Sequence, residues 1–260
     1  MIFNQCYFIS YFTDTHRVER RRMLKKAVKW AFDKDFDVTI IASNWIHEDY
    51  LQFADCQIVS VPVRLPPGHM RNIALSMFYA GNNDEWCIVL DDDTWIATGD
   101  DFIDTMRKMK SAGTVWGLSV EDEVDTPISN PTHYELTQSI YVKSGVFIVR
   151  NGCGVYFNPA YKYYDGKLMF GEDVNFMARC CYAGKDFRMV ANAQTNLSRS
   201  RFQLPSTWLD PQEDVKKRLL PTKAMHELDK IDFTPSRNGV QLNGNQVGRL
   251  KAPTIYWEKL

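Results

Sequence analysis

The sequence predicts an α/β fold built on an open, mostly parallel sheet with helices on both faces. Three observations carry this. Short apolar runs of strand length alternate with amphipathic segments of helix length through the first two-thirds of the chain. The run 87–90 is continuously apolar, the pattern of a strand covered on both faces. Turn-forming residues fall between the two kinds of segment, at Pro66-Pro67-Gly68 and Gly81-Asn82-Asn83-Asp84.

The elements follow in order. Residues 6–12 are strand-like, and the N-terminus reads as a first strand, with neither the basic start nor the small-residue cleavage site of a signal peptide. Residues 20–32 predict a helix, because Met23, Leu24, Ala27, Val28 and Ala31 share one face. Strands are expected at 38–42 and 57–63, a helix at 69–80, and then the strand 87–90. Asp100 can cap a helix in which Phe102, Ile103, Met106 and Met109 share a face and which Gly113 ends. Residues 114–120, 139–142, 145–149 and 187–191 are strand-like, and the polar stretch 121–133 carries two prolines and reads as loop. Val174, Met177, Ala178 and Cys181 predict a helix over 173–183. Beyond about residue 204 prolines interrupt the pattern, with one helix expected at 213–220. The Asn- and Gly-rich stretch 237–248 is expected to be loop. The domain reading is therefore 1–203 as one α/β domain and 204–260 as an extension packed on it.

Composition narrows the function. The chain has 260 residues, 45% hydrophobic and 24% charged, the balance of an ordinary globular protein. A net charge of −1 gives no global basic signature for nucleic acid. No apolar run reaches membrane-spanning length. Six cysteines include no C-x-x-C pair, and reduced, mostly buried thiols in a cytoplasmic protein are expected.

Chemistry concentrates in a few places. Asp91, Asp92 and Asp93 follow the strand at 87–90. Like charges so close raise one another's pKa unless a cation neutralises them, and all-oxygen ligands suit Mg²⁺ or Mn²⁺. A solvated acidic turn is the alternative. In a parallel sheet, ligands bind beyond the carboxyl ends of the strands, where these aspartates fall. Glu172 and Asp173 open the 173–183 helix. There they can cap free N–H groups, or one can face an attacking hydroxyl as base or orienting group. Arg71 and Asn72 sit near the start of the 69–80 helix, where Arg71 can pair with phosphate or be a surface arginine. After the first strand, Tyr11 can stack on a base and Thr13, Asp14 or Arg17 can bond a ligand; Ser43 and Asn44 are similarly placed after the second. Arg17, Arg20, Arg21, Arg22, Lys25, Lys26 and Lys29 are expected mostly on the outer side of the first helix, as a solvated face or a track for phosphates. Lys216, Lys217, Arg218, Arg199 and Arg201 add basic character near the C-terminal part.

The ordered set Arg71-Asn72-x-Ala74, then Asp91-x-Asp93 after a hydrophobic strand, then Gly171-Glu172-Asp173 about 80 residues on, resembles GT-A fold (Rossmann-like) glycosyltransferases over roughly residues 1–200. The resemblance implies a divalent metal, Mn²⁺ or Mg²⁺, held by Asp93 and Asp91, and a nucleotide-diphosphate sugar as donor. It implies that Asp92 orients the ribose or a neighbouring side chain, that Arg71 and Asn72 lie near the nucleotide, and that Asp173 or Glu172 contacts the acceptor hydroxyl. His226 is the positional candidate for the C-terminal metal histidine of some retaining members. Within the superfamily the chain looks most like small phage-encoded enzymes of the TET/JBP-associated type. That implies a hydroxymethylcytosine acceptor in double-stranded phage DNA, the base leaving the stack, and host cytoplasm as the location. The alternative acceptor is a cell-surface glycan or lipopolysaccharide. Two further alternatives are a nucleotidyltransferase, which usually carries a Gly-rich loop after the first strand where this chain has no glycine, and a non-catalytic nucleic-acid-binding protein.

Overall fold

The structure is a computed structural model, and it describes residues 2–63, 65–81, 85–97, 103, 115–118, 135–138, 145–158, 163–164, 167–168, 176, 179–180, 183, 185, 187–191, 195–196, 233–236, 239–242 and 245–248. In chain order the elements are β1 (Ile2–Tyr11), α1 (Arg17–Phe32), β2 (Asp37–Ser43), α2 (His47–Leu51), β3 (Gln57–Val61), α3 (Pro67–Tyr79), β4 (Glu85–Asp91), β5 (Val115–Leu118), β6 (Glu135–Gln138) and β7 (Val146–Arg150). The short pair β8 (Tyr163–Tyr164) and β9 (Lys167–Leu168) follows, then β10 (Phe187–Ala191), β11 (Phe233–Ser236), β12 (Gly239–Leu242) and β13 (Asn245–Gly248).

Eight strands form one sheet in the order β3-β2-β1-β4-β7-β5-β10-β6. The pairs β1–β2, β2–β3, β1–β4 and β5–β10 are parallel, whereas β7 and β6 run antiparallel to their neighbours. The sheet is therefore mixed and mostly parallel, as expected. Strand order reverses between β1 and β4: β2 and β3 extend to one side of β1, and β4 begins the other. Such a switch point opens a crevice beyond the strand ends. Tyr11 is in register with Ser43, and Ile9 with Asp91, so the ends of β1, β2 and β4 meet at this crevice.

Alternation along the strands divides the core. Cys6, Phe8, Trp86, Ile88, Leu90, Val146 and Ile148 pack on one face with Leu24, Ala27, Val28 and Ala31 of α1. Tyr7, Ile9, Cys87, Val89, Phe147 and Val149 pack on the other with Met70, Ala74, Leu75 and Phe78 of α3. Pro67 opens α3, a position that suits its fixed φ and missing N–H. Cys6, Cys87, Cys153 and Cys180 are buried thiols outside any disulfide and Cys56 is a half-buried one.

The structure departs from the expectations in three places. Residues 237–248 are not a continuous loop, because β12 and β13 lie there and form an antiparallel sheet with β11. Ser236 pairs with Gly239 and Leu242 with Asn245, leaving two residues between paired ends. The pair Asn243-Gly244 has the composition such hairpins favour, so the residues that suggest a loop are those a tight hairpin needs. The helix α2 was not expected; it is five residues long, too short for a periodic signal, and Asp49 accepts the Ile46 N–H at 2.9 Å. The strand β6 was not expected, and the strand expected at 139–142 lies outside the described residues. Outside them also are the 121–133 loop, the 213–220 helix and most of the 100–113 and 173–183 helices, of which Ile103, Phe176, Arg179 and Cys180 are described and helical.

Candidate active site

Asp91 ends β4, where its N–H donates to the Gly145 carbonyl at 3.1 Å. Its side chain turns toward α3, and Oδ1 accepts from Arg71 Nη2 at 2.8 Å. Arg71 is 2% exposed, and its guanidinium lies over the rings of Phe147 and Phe157, 5.4 and 5.5 Å from their centroids. A guanidinium held by two aromatic faces keeps its charge at low hydration cost. The other oxygen of Asp91 lies against Gly145, which has φ +92°, and a Cβ there would stand 2.8 Å from Oδ2. Only glycine leaves that carboxylate room.

Asp92 turns the opposite way, toward α1, and is buried. Arg20 Nη1 donates to its Oδ1 at 2.7 Å and Ser10 Oγ to its Oδ2 at 3.1 Å, while Trp45 Nε1 donates to Ser10 Oγ at 3.1 Å. Burial pushes the Asp92 carboxyl up to about 7; Arg20 pulls it down, and the neighbouring charges of Asp93 and Asp91 push it up. Asp93 is raised as well, first by burial and then by Asp91. The Thr94 hydroxyl donates to its Oδ1 at 3.1 Å.

Asp91 and Asp93 thus offer hard oxygens at the switch point, and their repulsion is what a divalent cation would relieve. Among the described residues no three His, Cys, Asp or Glu side chains converge as a metal group. Two carboxylates, with diphosphate oxygens and water completing the shell, suit an ion of the Mg²⁺ kind. The residues fit such a metal.

The other expected site residues lie as follows. Tyr11 and Thr13 are half-buried at the end of β1, and the buried Thr13 Oγ1 has no hydrogen-bond partner. Arg17 does not open onto the crevice. It pairs with Asp49, reaches Asp14 at 2.9 Å and donates to the Asn44 carbonyl at 3.1 Å. Ser43 is buried and donates to the Val63 carbonyl at 3.0 Å. Asn44 sits at φ +59° and its amide donates to the Phe12 carbonyl. Asn72 pairs both ends of its amide with the Phe157 backbone, at 2.9 and 2.8 Å. Arg17, Ser43 and Asn72 therefore brace the walls of the crevice. Arg71, expected to pair with phosphate, is turned onto Asp91. Glu172, Asp173 and His226 lie outside the described residues.

Of the seven basic residues expected mostly on the outer side of α1, Arg22, Lys25, Lys26 and Lys29 are exposed and three turn inward. Arg17 and Arg21 converge on the fully buried Asp49, and Arg20 reaches Asp92. Two buried carboxylates draw three arginines inward, because a buried charge must be paired. Arg22 pairs with Glu19 and Lys29 with Asp33, and Lys25 and Lys26 are exposed. Sequence reasoning missed Gly145, the inward turn of Arg20, and the stack of Phe157 on Phe176, 4.2 Å apart at 8°. None carries a local signal, since each is defined by a partner distant in sequence.

The sequence matches no protein-family model and no curated protein. The fold matches solved structures. S. aureus TarS 1–349 in complex with UDP-GlcNAc superposes with a TM-score of 0.52 at 15% identity, over 87% of this chain and 67% of that one. The same TarS fragment without that ligand gives 0.51 at 13% identity, and this chain spans 66% of its length. Glucosyl-3-phosphoglycerate synthase from Mycobacterium tuberculosis, in complex with Mn²⁺, UDP and phosphoglyceric acid, gives 0.51 at 10% identity over 95% of this chain and 88% of that one. With β7 antiparallel inside an otherwise parallel core, the architecture of this chain is the GT-A, Rossmann-like fold.

Proposed function

We propose that this chain is a metal-dependent glycosyltransferase that moves a sugar from a nucleotide-diphosphate donor to an acceptor hydroxyl. The observation that carries the proposal is the pair Asp91 and Asp93 at the switch point, one held by Arg71 and spaced by Gly145, the other raised by burial and by Asp91 against the pull of Arg20. A bound Mn²⁺ or Mg²⁺ would neutralise charge building on the leaving diphosphate. Asp93 and Asp91 would hold it. Arg71 fixes the rotamer of Asp91, and Arg20 and Ser10 lock Asp92 so that the turn keeps its shape. Tyr11 and Thr13 line the donor side.

Asp173 or Glu172 is the acceptor-side base or orienting group. Phe176 stacks on Phe157, which in turn lies against Arg71. That chain of contacts ties Phe176, three positions after Asp173 in the sequence, to the arginine that holds Asp91, and it supports the reading. Residues 1–203 are read as the transferase domain and 204–260 as its extension. No helix among the described residues is long and apolar enough to cross a membrane.

The resemblance to phage enzymes favours 5-hydroxymethylcytosine in DNA as acceptor. The inward turn of Arg17, Arg20 and Arg21 favours the second reading, a cell-surface glycan, because it takes three of the seven basic side chains off the α1 face. UDP-sugars head the donor panel, since both neighbours above were solved with uridine nucleotides. The test is transfer from a panel of nucleotide sugars with Mn²⁺, offered hydroxymethylcytosine DNA or glycan acceptors. Nucleoside diphosphate released only with modified DNA supports the first acceptor, and turnover indifferent to DNA supports the second. A folded protein that neither binds nor turns over any donor defeats the proposal.

A further inference from the structure

The turn after β4 is gripped by a residue that the mechanism above does not use. Asn196 lies 103 positions from Asp93 along the chain and bonds the turn three times. Its Nδ2 donates to the Asp93 carbonyl at 2.8 Å, and its Oδ1 accepts the Trp95 N–H at 2.7 Å. Its own N–H donates to the Trp95 carbonyl at 3.1 Å. Beside it, Thr195 pairs with Ile96 as an antiparallel bridge. A carboxamide is the side chain that offers donor and acceptor together, and here each end finds a backbone group of the same turn. The Asp93 peptide is thereby fixed in rotation. Its carboxylate, also bonded by the Thr94 hydroxyl, can point in only a narrow range of directions.

We propose that Asn196 is a positioning residue for the metal and diphosphate site. It sets the backbone from which Asp93 projects, and it ties Thr195 and Asn196 to the β4 turn so that the two order together when the site is filled. The proposal rests on the metal-dependent reading above. An outer partner of a metal carboxylate changes affinity when it is lost, even though it touches no metal. Asn196→Ala removes both side-chain bonds and leaves the backbone bridge. Thr195→Val serves as the control: the residue is buried, its hydroxyl has no hydrogen-bond partner, and valine fills the same space.

The experiment is a Mn²⁺ titration of the full chain in the presence of UDP, with thermal melts of the metal-free protein alongside. Asn196→Ala is expected to weaken Mn²⁺ binding about 10- to 100-fold, a range typical of lost outer partners. Thr195→Val is expected to stay within about twofold of wild type. Binding by Asn196→Ala within twofold of wild type, or an equal loss in both variants, overturns the proposal. Should Asn196→Ala not fold, amide exchange in the wild type decides. Protection gained together at 91–97 and 195–196 on adding Mn²⁺ and UDP supports the clamp, and protection at 91–97 alone overturns it. Failure of the underlying metal reading looks different: wild type and Asp93→Ala would then be equally blind to Mn²⁺.

Discussion

Replacing Gly145 with alanine puts a methyl group where the structure has space only for hydrogen. The new carbon would stand 2.8 Å from Asp91 Oδ2, 3.4 Å from its Cγ and 3.6 Å from Thr94 Oγ1, on a backbone with φ +92°. Two costs add. An L-residue at positive φ loses about 1–2 kcal/mol. Forcing an extra carbon into a filled space loses about 1–3 kcal/mol more if Asp91 stays. Asp91 can instead swing away, but its other oxygen is held by Arg71 at 2.8 Å, and a bond of that charged kind is worth about 1.5–3 kcal/mol. Either route costs about 2–5 kcal/mol, and the second also removes Asp91 from the metal position. Gly152 supplies the control, because it has φ +84° and nothing within 4 Å of a built Cβ. Gly152→Ala isolates the backbone cost of about 1–2 kcal/mol and should leave Mn²⁺ binding alone. The assay is urea unfolding paired with Mn²⁺ titration for both variants. Gly145→Ala indistinguishable from Gly152→Ala in both measurements would refute the reasoning.

Three further outcomes are expected. Asp49→Ala leaves the guanidiniums of Arg17 and Arg21 facing one another without their shared carboxylate, and should lower unfolding free energy by about 3 kcal/mol in a denaturant titration. Phe176→Ala removes a fully buried ring from the Phe147–Phe157–Phe176 cluster and should cost about 3–5 kcal/mol, with turnover falling further than stability alone explains. The pH dependence follows from Asp92, whose folded pKa of about 7 lies above the ordinary carboxylate range. The folded protein then holds that proton more tightly than the unfolded chain, so this contribution is full below about pH 4 and is lost as pH rises through about 7. A cation beside Asp91 and Asp93 reverses the preference. Stabilisation by Mn²⁺ in thermal melts should therefore grow between pH 5 and pH 8, and a gain that is flat over that range would contradict the assignment.

The strand ends and helix faces near the site were legible because they obey short periods. Apolar alternation in β1 and β4 and the 3.6-residue pattern in α1 and α3 are local signals. The acidic turn was legible for a related reason: three adjacent carboxylates need an explanation wherever they occur. The supports were not. Arg20 and Arg21 read as surface charges because their partners, Asp92 and Asp49, are 72 and 28 positions away. Asn72 read as a residue near the nucleotide, and only the Phe157 backbone, 85 positions on, shows what its amide bonds. Residues 237–248 misled for the opposite reason, since turn chemistry was recognised but the short strands between turns were not. Sequence reasoning finds groups that carry charge and chemistry, and overlooks the tertiary contacts that hold them still.

The most direct test of the account is release of nucleoside diphosphate from UDP-sugars by the wild type and by Asp93→Ala, each with and without Mn²⁺. The account predicts release that requires both the metal and Asp93, with a loss of at least about 100-fold in the variant. Release by Asp93→Ala at the wild-type rate, or wild-type release indifferent to Mn²⁺ and to its removal by a chelator, would contradict the claim that this turn is a catalytic metal site.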